Sequence, residues 1–251
     1  MLDLNGKTVL ITGGSRGIGA AAVRAVASAG GTVILHYGKS RAAAEKIQAE
    51  IGRERCHLVA ADLAQVGAAE ELWRAAAAAA PRLDVLVNNA GIFETADIAA
   101  PMAEWRAAWA RVMQVNLHAP AELCRLAIGH FRGHGGGKII NVASRAAHRG
   151  EQPDQWPYGA SKGALVNLTK TIARGYARDN ILAFAVAPGF TDTDMVGDLD
   201  EASLRRVLAE IPLGSMASPA ECGALIAFLC ADPVRHLTGA TFDINGASYV
   251  R

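Results

Sequence analysis

Seven short apolar runs, TVLIT, TVILHY, HLVAADL, DVLVNNA, KIINVAS, LAFAVAPG and ATFDING, are separated along the chain by longer alanine-rich stretches. No other feature constrains the fold as strongly. Most of the runs are almost continuously apolar rather than alternating, which is the pattern of strands covered on both faces. Helical periodicity fills the spaces between them, over residues 17–29, 41–51, 68–80, 103–131, 158–177 and 219–230. Strand and helix in regular alternation predict an α/β fold, a doubly wound parallel sheet of about seven strands with helices on both faces and right-handed crossovers.

Composition limits what such a fold can do. The 251 residues exceed the usual size of one domain, yet α/β folds of this length are commonly one domain, and no repeat or linker divides residues 1–251. Hydrophobic residues make up 51% and charged residues 20%, which favours a large core over disorder. A net charge of +1 gives no electrostatic reason to expect nucleic acid or an anionic membrane as partner. No apolar run reaches the roughly 18–20 residues of a membrane span. A strand begins within the first ten residues, which argues against a secretory signal. Cys56, Cys124, Cys222 and Cys230 form no CxxC pair or zinc spacing and read as reduced, buried thiols of a cytoplasmic protein. RAAAAAAP reads as a strong helix stopped by Pro81, and HGGGK as a turn entering a strand at Ile139. Residues 190–216 alternate least and read as a substrate flap, with an ordinary surface excursion equally compatible with their composition.

The first strand runs directly into TGGSRGIG. Gly13, Gly17 and Gly19 fall where strand becomes helix, with Ser15, Arg16 and Ile18 between them. Glycines there permit a tight turn and let backbone N–H groups approach a pyrophosphate, which the helix N-terminus favours. The spacing is GxxxGxG rather than the commoner GxGxxG. The second strand then selects the dinucleotide. NAD enzymes tend to end it with a carboxylate for the ribose 2′-hydroxyl. Here Tyr37, Lys39, Ser40 and Arg41 follow, with Arg16 nearby in the turn. Cations and a hydroxyl suit a 2′-phosphate, so NADP(H) is preferred and NAD(H) possible.

These motifs together resemble the short-chain dehydrogenase/reductase family, along essentially the whole chain, and 3-oxoacyl-[acyl-carrier-protein] reductase-like members in particular. The resemblance rests on TGGSRGIG, on NNAG at Asn88, Asn89, Ala90 and Gly91, on Asp62 and Leu63, and on PGFTDT with Pro188, Gly189, Thr191 and Thr193. Asn116, Ser144, Tyr158 and Lys162 match the family's catalytic residues in order and spacing, and DINGASY resembles its last strand. Membership implies a Rossmann-type fold and reversible hydride transfer between nicotinamide and a carbonyl or secondary alcohol, with those motif residues on the cofactor. It implies Asp62 and Leu63 at the adenine and Thr193 at the nicotinamide carboxamide. It also implies a homotetramer or homodimer.

The chemistry asks for a proton donor and acceptor. Free tyrosine titrates near about 10, too high for efficient acid/base work at neutral pH. Tyr158 and Lys162 stand one helical turn apart, and a nearby ammonium favours phenolate. By resemblance, Tyr158 donates the proton in reduction and removes it in oxidation. Lys162 depresses its pKa and binds the nicotinamide ribose, Ser144 polarises the carbonyl, and the Asn116 side chain holds a water that links Lys162 to solvent. Gly159, Ala160, Ser161 and Gly163 keep the surface thin for a cofactor. No metal is assigned: Asp192 and Asp194 read as solvated acids, and Gly133 argues against a helix continuing through His130 and His134.

The substrate belongs between Ser144, Tyr158 and the flap, with Phe93, Glu94, Arg145, His148, Trp156, Phe190 and Met195 as candidate contacts. A small ketone, sugar or polyol is the leading reading, a carbonyl reductase. The alternative is 3-oxoacyl-[acyl-carrier-protein] reductase. Gly135 and Asp179 stand where a carrier-binding surface wants cations, although Arg132, Lys138 and Arg178 are close, and the Ser144-to-Tyr158 spacing is one residue longer than usual. A further alternative is a non-catalytic NADP-binding sensor, against which the full set of four catalytic residues counts.

Overall fold

The structure is a computed structural model that describes residues 2–80, 82–193 and 200–251. Its centre is one sheet of seven parallel strands in the order β3-β2-β1-β4-β5-β6-β7. The strands are β1 (Thr8–Ile11), β2 (Thr32–Tyr37), β3 (Cys56–Ala60), β4 (Val85–Asn88), β5 (Gly137–Val142), β6 (Ile181–Pro188) and β7 (Thr241–Ile244). The nine α-helices of the described residues are α1 (Gly17–Ser28), α2 (Arg41–Ile51), α3 (Ala68–Ala79), α4 (Met102–Met113), α5 (Ala119–Gly133), α6 (Ala146–Arg149), α7 (Trp156–Tyr176), α8 (Glu201–Ala209) and α9 (Pro219–Cys230).

The period of two along each strand divides the core into two layers. Val9 and Ile11 face one way, packing with Val23, Val26, Phe184 and Leu229, while Leu10 faces the other, with Leu72, Leu123 and Phe131. Nearly every strand side chain is therefore covered, which is why the runs read as continuously apolar. Helices α1 and α9 pass closely: a Cβ at Gly223 would lie 2.6 Å from the Ala21 carbonyl carbon. Ser218 and Glu221 close a capping box at the start of α9, with Pro219 in its first turn.

Chain order reverses between β1 and β4, which pair as Ile11 with Val87, while β1 also pairs with β2 as Ile11 with Leu35. In an open parallel sheet that switch opens a crevice at the carboxyl ends of the strands. Three features differ from the sequence expectation. Residues 103–131 are not one α-helix: a π-helical turn, Gln114–His118, separates α4 from α5. Pro120 has no N–H to offer the Asn116 carbonyl four residues earlier, so an α-helical bond is missing at that point. Second, α5 runs two residues further than expected, to Gly133, and ends there as Gly133 suggested; His134 is its C-cap, outside the helix, with its ring stacked on His130 at 4.0 Å. Third, α6 and α8 are short helices inside stretches expected to be loops. Pro81, Asp194 and Met195 lie outside the described residues.

Candidate active site

The glycine turn is held from three sides. Asn89 donates its side-chain amide to the Thr12 and Gly13 carbonyls at 2.8 and 3.1 Å. The Thr12 hydroxyl accepts the N–H groups of Asn89 and Ala90, both at 2.9 Å. From β2, His36 Nδ1 accepts the Gly13 N–H at 3.1 Å and its Nε2 bonds the Ala61 carbonyl at 3.0 Å. Burial holds the His36 pKa below the usual histidine value, so the ring is neutral, with its proton on the nitrogen facing Ala61. Sequence reading passed over His36, although a lone polar residue inside the apolar run VILHY was a visible signal.

Space around the turn is reserved. A Cβ at Gly19 would stand 2.1 Å from the Gly13 carbonyl oxygen, and Gly13 itself has φ of +64°. No side chain caps α1 and no acid lies in its first turn, leaving its N–H groups to an anion. A turn this close to backbone, at an uncapped helix start, fits a dinucleotide pyrophosphate. Ser15 and Ile18 are part-buried in the turn and Arg16 is exposed at its edge. Thr193 reaches over the turn, its Cγ2 3.2 Å from where a Gly17 Cβ would be. Around the adenosine end, Tyr37 and Leu63 are buried while Lys39, Ser40, Arg41 and Asp62 are exposed. Arg41 pairs with Glu45 at 2.8 Å, an exposed contact of little strength. Thr191 departs from the cofactor role assigned to it: it is buried, with its hydroxyl on the Gly189 carbonyl at 3.3 Å and near Cys222.

Ser144, Tyr158, Lys162 and Asn116 meet beside this cradle. Ser144 ends the chain segment leaving β5, and its hydroxyl faces the Tyr158 phenol. Tyr158 and Lys162 lie on one face of α7, with the ammonium 5.8 Å from the phenol ring centroid. Lys162 Nζ donates to the Val142 carbonyl at 2.8 Å. Full burial brings its pKa from 10.5 down to about 8. Burial raises the Tyr158 pKa, partly offset by the Ser144 hydrogen bond, and Glu151 adds to the rise. The ammonium is bonded to a backbone carbonyl, and desolvation is the largest influence on the phenol in this geometry.

Asn116 also differs from expectation. Its amide donates to the Ile92 carbonyl at 2.9 Å and to Ser161 Oγ at 3.2 Å, and its Oδ1 accepts the Ile92 N–H at 2.8 Å. Both side-chain donors are thus committed to the protein, which displaces the water-holding role from the side chain. The π-helical turn points this asparagine inward, and Ser161, unnoticed in sequence as a partner, is bonded to the Tyr158 carbonyl at 2.7 Å. Gly91 passes between the groups: a Cβ there would lie 3.4 Å from both Asn116 Oδ1 and Lys162 Nζ. Gly159 and Gly163 lie beside α6, where a Cβ would be in ordinary contact with the Ala146 and Ala147 carbonyls, at 4.0 and 3.7 Å.

Of the substrate candidates, Phe93 stands edge-on to Tyr158 with centroids 5.3 Å apart, and Trp156 is exposed. Glu94 is not free for substrate, because Arg111 grips it at 2.7 Å. Arg145 does not line an open crevice: it is 2% exposed, stacked 4.4 Å over Phe190 and bonded to Glu210 at 3.2 Å. His148 stacks on Tyr249, and Ser248 lies 3.4 Å from a Gly189 Cβ, bringing the C-terminal segment, unforeseen, beside Pro188 and Gly189. Among the described residues no group of three or more His, Cys, Asp or Glu side chains could hold a metal. All four cysteines are buried and unpaired.

A phosphate cradle beside a serine, a tyrosine and a buried lysine, at the carboxyl ends of a parallel sheet, defines a nicotinamide-dependent oxidoreductase. Residues 7–204 match the family model described as short chain dehydrogenase. A 3-oxoacyl-[acyl-carrier-protein] reductase of Synechocystis is 35% identical over 251 residues, covering 98% of each chain. Among solved structures, a candidate NAD(P)-dependent gluconate 5-dehydrogenase of Beutenbergia cavernae, with NADP bound at low occupancy, superposes with a TM-score of 0.89 at 31% identity over 98% of both chains. A 3-ketoacyl-(acyl-carrier-protein) reductase of Brucella melitensis complexed with NADH gives 0.88 at 30% identity, covering 99% of this chain and 100% of that one. The chain belongs to the short chain dehydrogenase family, and is an oxidoreductase of carbonyl and alcohol groups.

Proposed function

We propose that the protein is an NADP(H)-preferring reductase of a small ketone, sugar or polyol, working as a single domain. The observation that carries the reaction is the meeting of Ser144, Tyr158 and buried Lys162 beside the glycine cradle. Bound there, NADPH supplies the hydride. Ser144 holds and polarises the carbonyl oxygen, and the Tyr158 hydroxyl gives that oxygen its proton. A phenol whose pKa is raised by burial is kept in the donor form, which suits reduction. Lys162 binds the ribose and carries positive charge beside the phenol. Asn116 keeps Ile92, and with it the wall at Gly91, in place. With its side chain committed there, the Asn116 main-chain carbonyl, denied an N–H by Pro120, is the better partner for a proton-relaying water.

NADP preference rests on Arg16, Lys39 and Ser40, all exposed where a 2′-phosphate would lie. The relative from Synechocystis favours acyl-carrier-protein as an alternative substrate. Two cations that a carrier would need are otherwise engaged. Arg132 is paired with Asp179 at 2.7 Å, and Lys138 is turned inward onto the Cys230 carbonyl at 2.7 Å and Asp232 at 3.3 Å. A polar cavity of about 320 Å³ beside Lys138 sits at the amino-terminal strand ends, away from the chemistry, with Lys7 and Arg82 of its lining likewise paired. No helix of the described residues is long and apolar enough to cross a membrane. A cytoplasmic homotetramer is the assembly we infer, favoured by α9, which is apolar and leaves Phe228 41% exposed.

The deciding experiment is NADPH oxidation across a carbonyl panel that includes acetoacetyl-carrier protein, with Tyr158→Phe as control. Turnover of small ketones with slow carrier-bound turnover is the expected result. Wild-type activity in Tyr158→Phe refutes the assigned acid. Tight NADPH binding without turnover of any carbonyl returns the sensor reading.

A further inference from the structure

Arg145 follows Ser144 directly, yet its guanidinium is among the largest fully buried side chains. Its backbone N–H donates to the Pro188 carbonyl at 2.9 Å, which ties the serine turn to the end of β6. Its Cζ lies 4.4 Å over the ring of Phe190, two residues on. Its Nη2 bonds Glu210 Oε2 at 3.2 Å, and Arg149 from α6 reaches the same oxygen at 3.1 Å. Glu210 caps the C-terminal end of α8. One arginine therefore touches the serine turn, the strand end, the aromatic that follows it and the last turn of the flap helix.

Helix α8 needs such a hold. Its apolar face, Leu204, Val207 and Leu208, is only part-buried, so contacts at its ends add to its hold. After Glu210, Ile211 packs against Gly246. The Leu213 N–H also donates to the Gly246 carbonyl at 3.2 Å, and a further fastening at that end is Glu210 on the two arginines. Burying a guanidinium is unfavourable, and an apolar side chain of similar volume commonly fills such a space at less cost. Its Nη1 finds no partner among the described residues, which adds to the penalty. The penalty is understandable where the charge fixes one element against another.

We propose that Arg145 is a positioning residue: its contacts with Phe190 and Glu210 fix α8 and the chain after β6 against the serine turn, and so set the wall of the substrate crevice. This rests on the oxidoreductase reading above and adds to it a determinant of substrate affinity. Breaking the tie loosens α8 and weakens substrate binding, while the proton donor, the lysine and the glycine cradle stay in place.

The test uses the full chain, with Glu210→Gln and Arg145→Met compared with wild type. Glu210→Gln alters a part-exposed side chain and is not expected to perturb folding. Arg145→Met keeps contact with Phe190 but loses the charge. Hydrogen exchange of the α8 amides is read first, with no substrate present. Exchange about fivefold faster or more in both variants is expected. The KM for a turned-over ketone should rise about three- to tenfold, with kcat within about twofold and NADPH affinity unchanged. Arg145→Lys, which retains charge, should recover part of the loss. Unchanged α8 exchange in both variants overturns the tie. Faster exchange with an unmoved KM overturns its link to substrate. If wild type reduces no ketone at all, the oxidoreductase reading fails, and the exchange result still decides the tie by itself.

Discussion

Replacing Lys162 by methionine should abolish turnover and make the protein more stable. The ammonium is fully buried, and burial brings its pKa from 10.5 to about 8. At about 1.4 kcal/mol per pKa unit, keeping the proton on this amine destabilises the native state by about 3 kcal/mol below pH 8. Methionine fills similar space without the charge. It leaves the Val142 carbonyl without its donor, a loss of about 1 kcal/mol, so the net gain at pH 7 is about 2 kcal/mol. The sign with pH follows from proton uptake. Between about 8 and 10.5 the unfolded chain holds more protons on this amine than the native one, so wild type gains stability as pH rises there. The advantage of Lys162→Met is therefore greatest below about pH 8 and shrinks above it. Tyr158, with its raised pKa, acts the other way only above the ordinary tyrosine value of about 10, so the comparison stays below that pH. Urea unfolding of both proteins at equal concentration, at intervals from neutral pH to mildly alkaline pH, measures the gap. A destabilised Lys162→Met at neutral pH, or a gap that does not change with pH, refutes the reasoning. A more stable but inactive variant also separates loss of chemistry from loss of fold.

Three further outcomes follow from the same geometry. Gly19→Ala places a methyl 2.1 Å from the Gly13 carbonyl oxygen, so the turn must shift, with a loss of about 1–3 kcal/mol in stability and about tenfold or more in NADPH affinity, measured by cofactor fluorescence. Asn116→Ala leaves both polar groups of Ile92 unpaired, and urea unfolding should show a loss of about 3 kcal/mol with reduced kcat. Arg16→Ala should lower kcat/KM for NADPH about tenfold or more while leaving NADH nearly unchanged, and an equal loss with both cofactors would contradict the 2′-phosphate assignment.

Much of the fold could be read in one dimension because its signals are local. A strand covered on both faces is apolar at most positions, so β1, β2, β5 and β6 appear as runs in the sequence. Glycines in TGGSRGIG mark a turn whose backbone allows no Cβ, and Tyr158 and Lys162 share a helix face through a fixed period. Helix α6 escaped notice because it is a single turn, whereas α8 does carry a short apolar stripe, Leu204, Val207 and Leu208, which the sequence reading passed over.

The sequence by itself determined the strand and helix order, the cofactor cradle and the group of residues that can move a proton. Those follow from residue type and short spacing, which the chain carries without folding. Only the tertiary structure decided what each polar side chain is bonded to. Asn116 is committed to Ile92, Lys162 to Val142, Glu94 to Arg111, and Arg145 is buried beneath Phe190 and held by Glu210, 65 residues away. A side chain's burial and its partners depend on segments far apart in the chain, and those distances exist only once the sheet has brought its strand ends together.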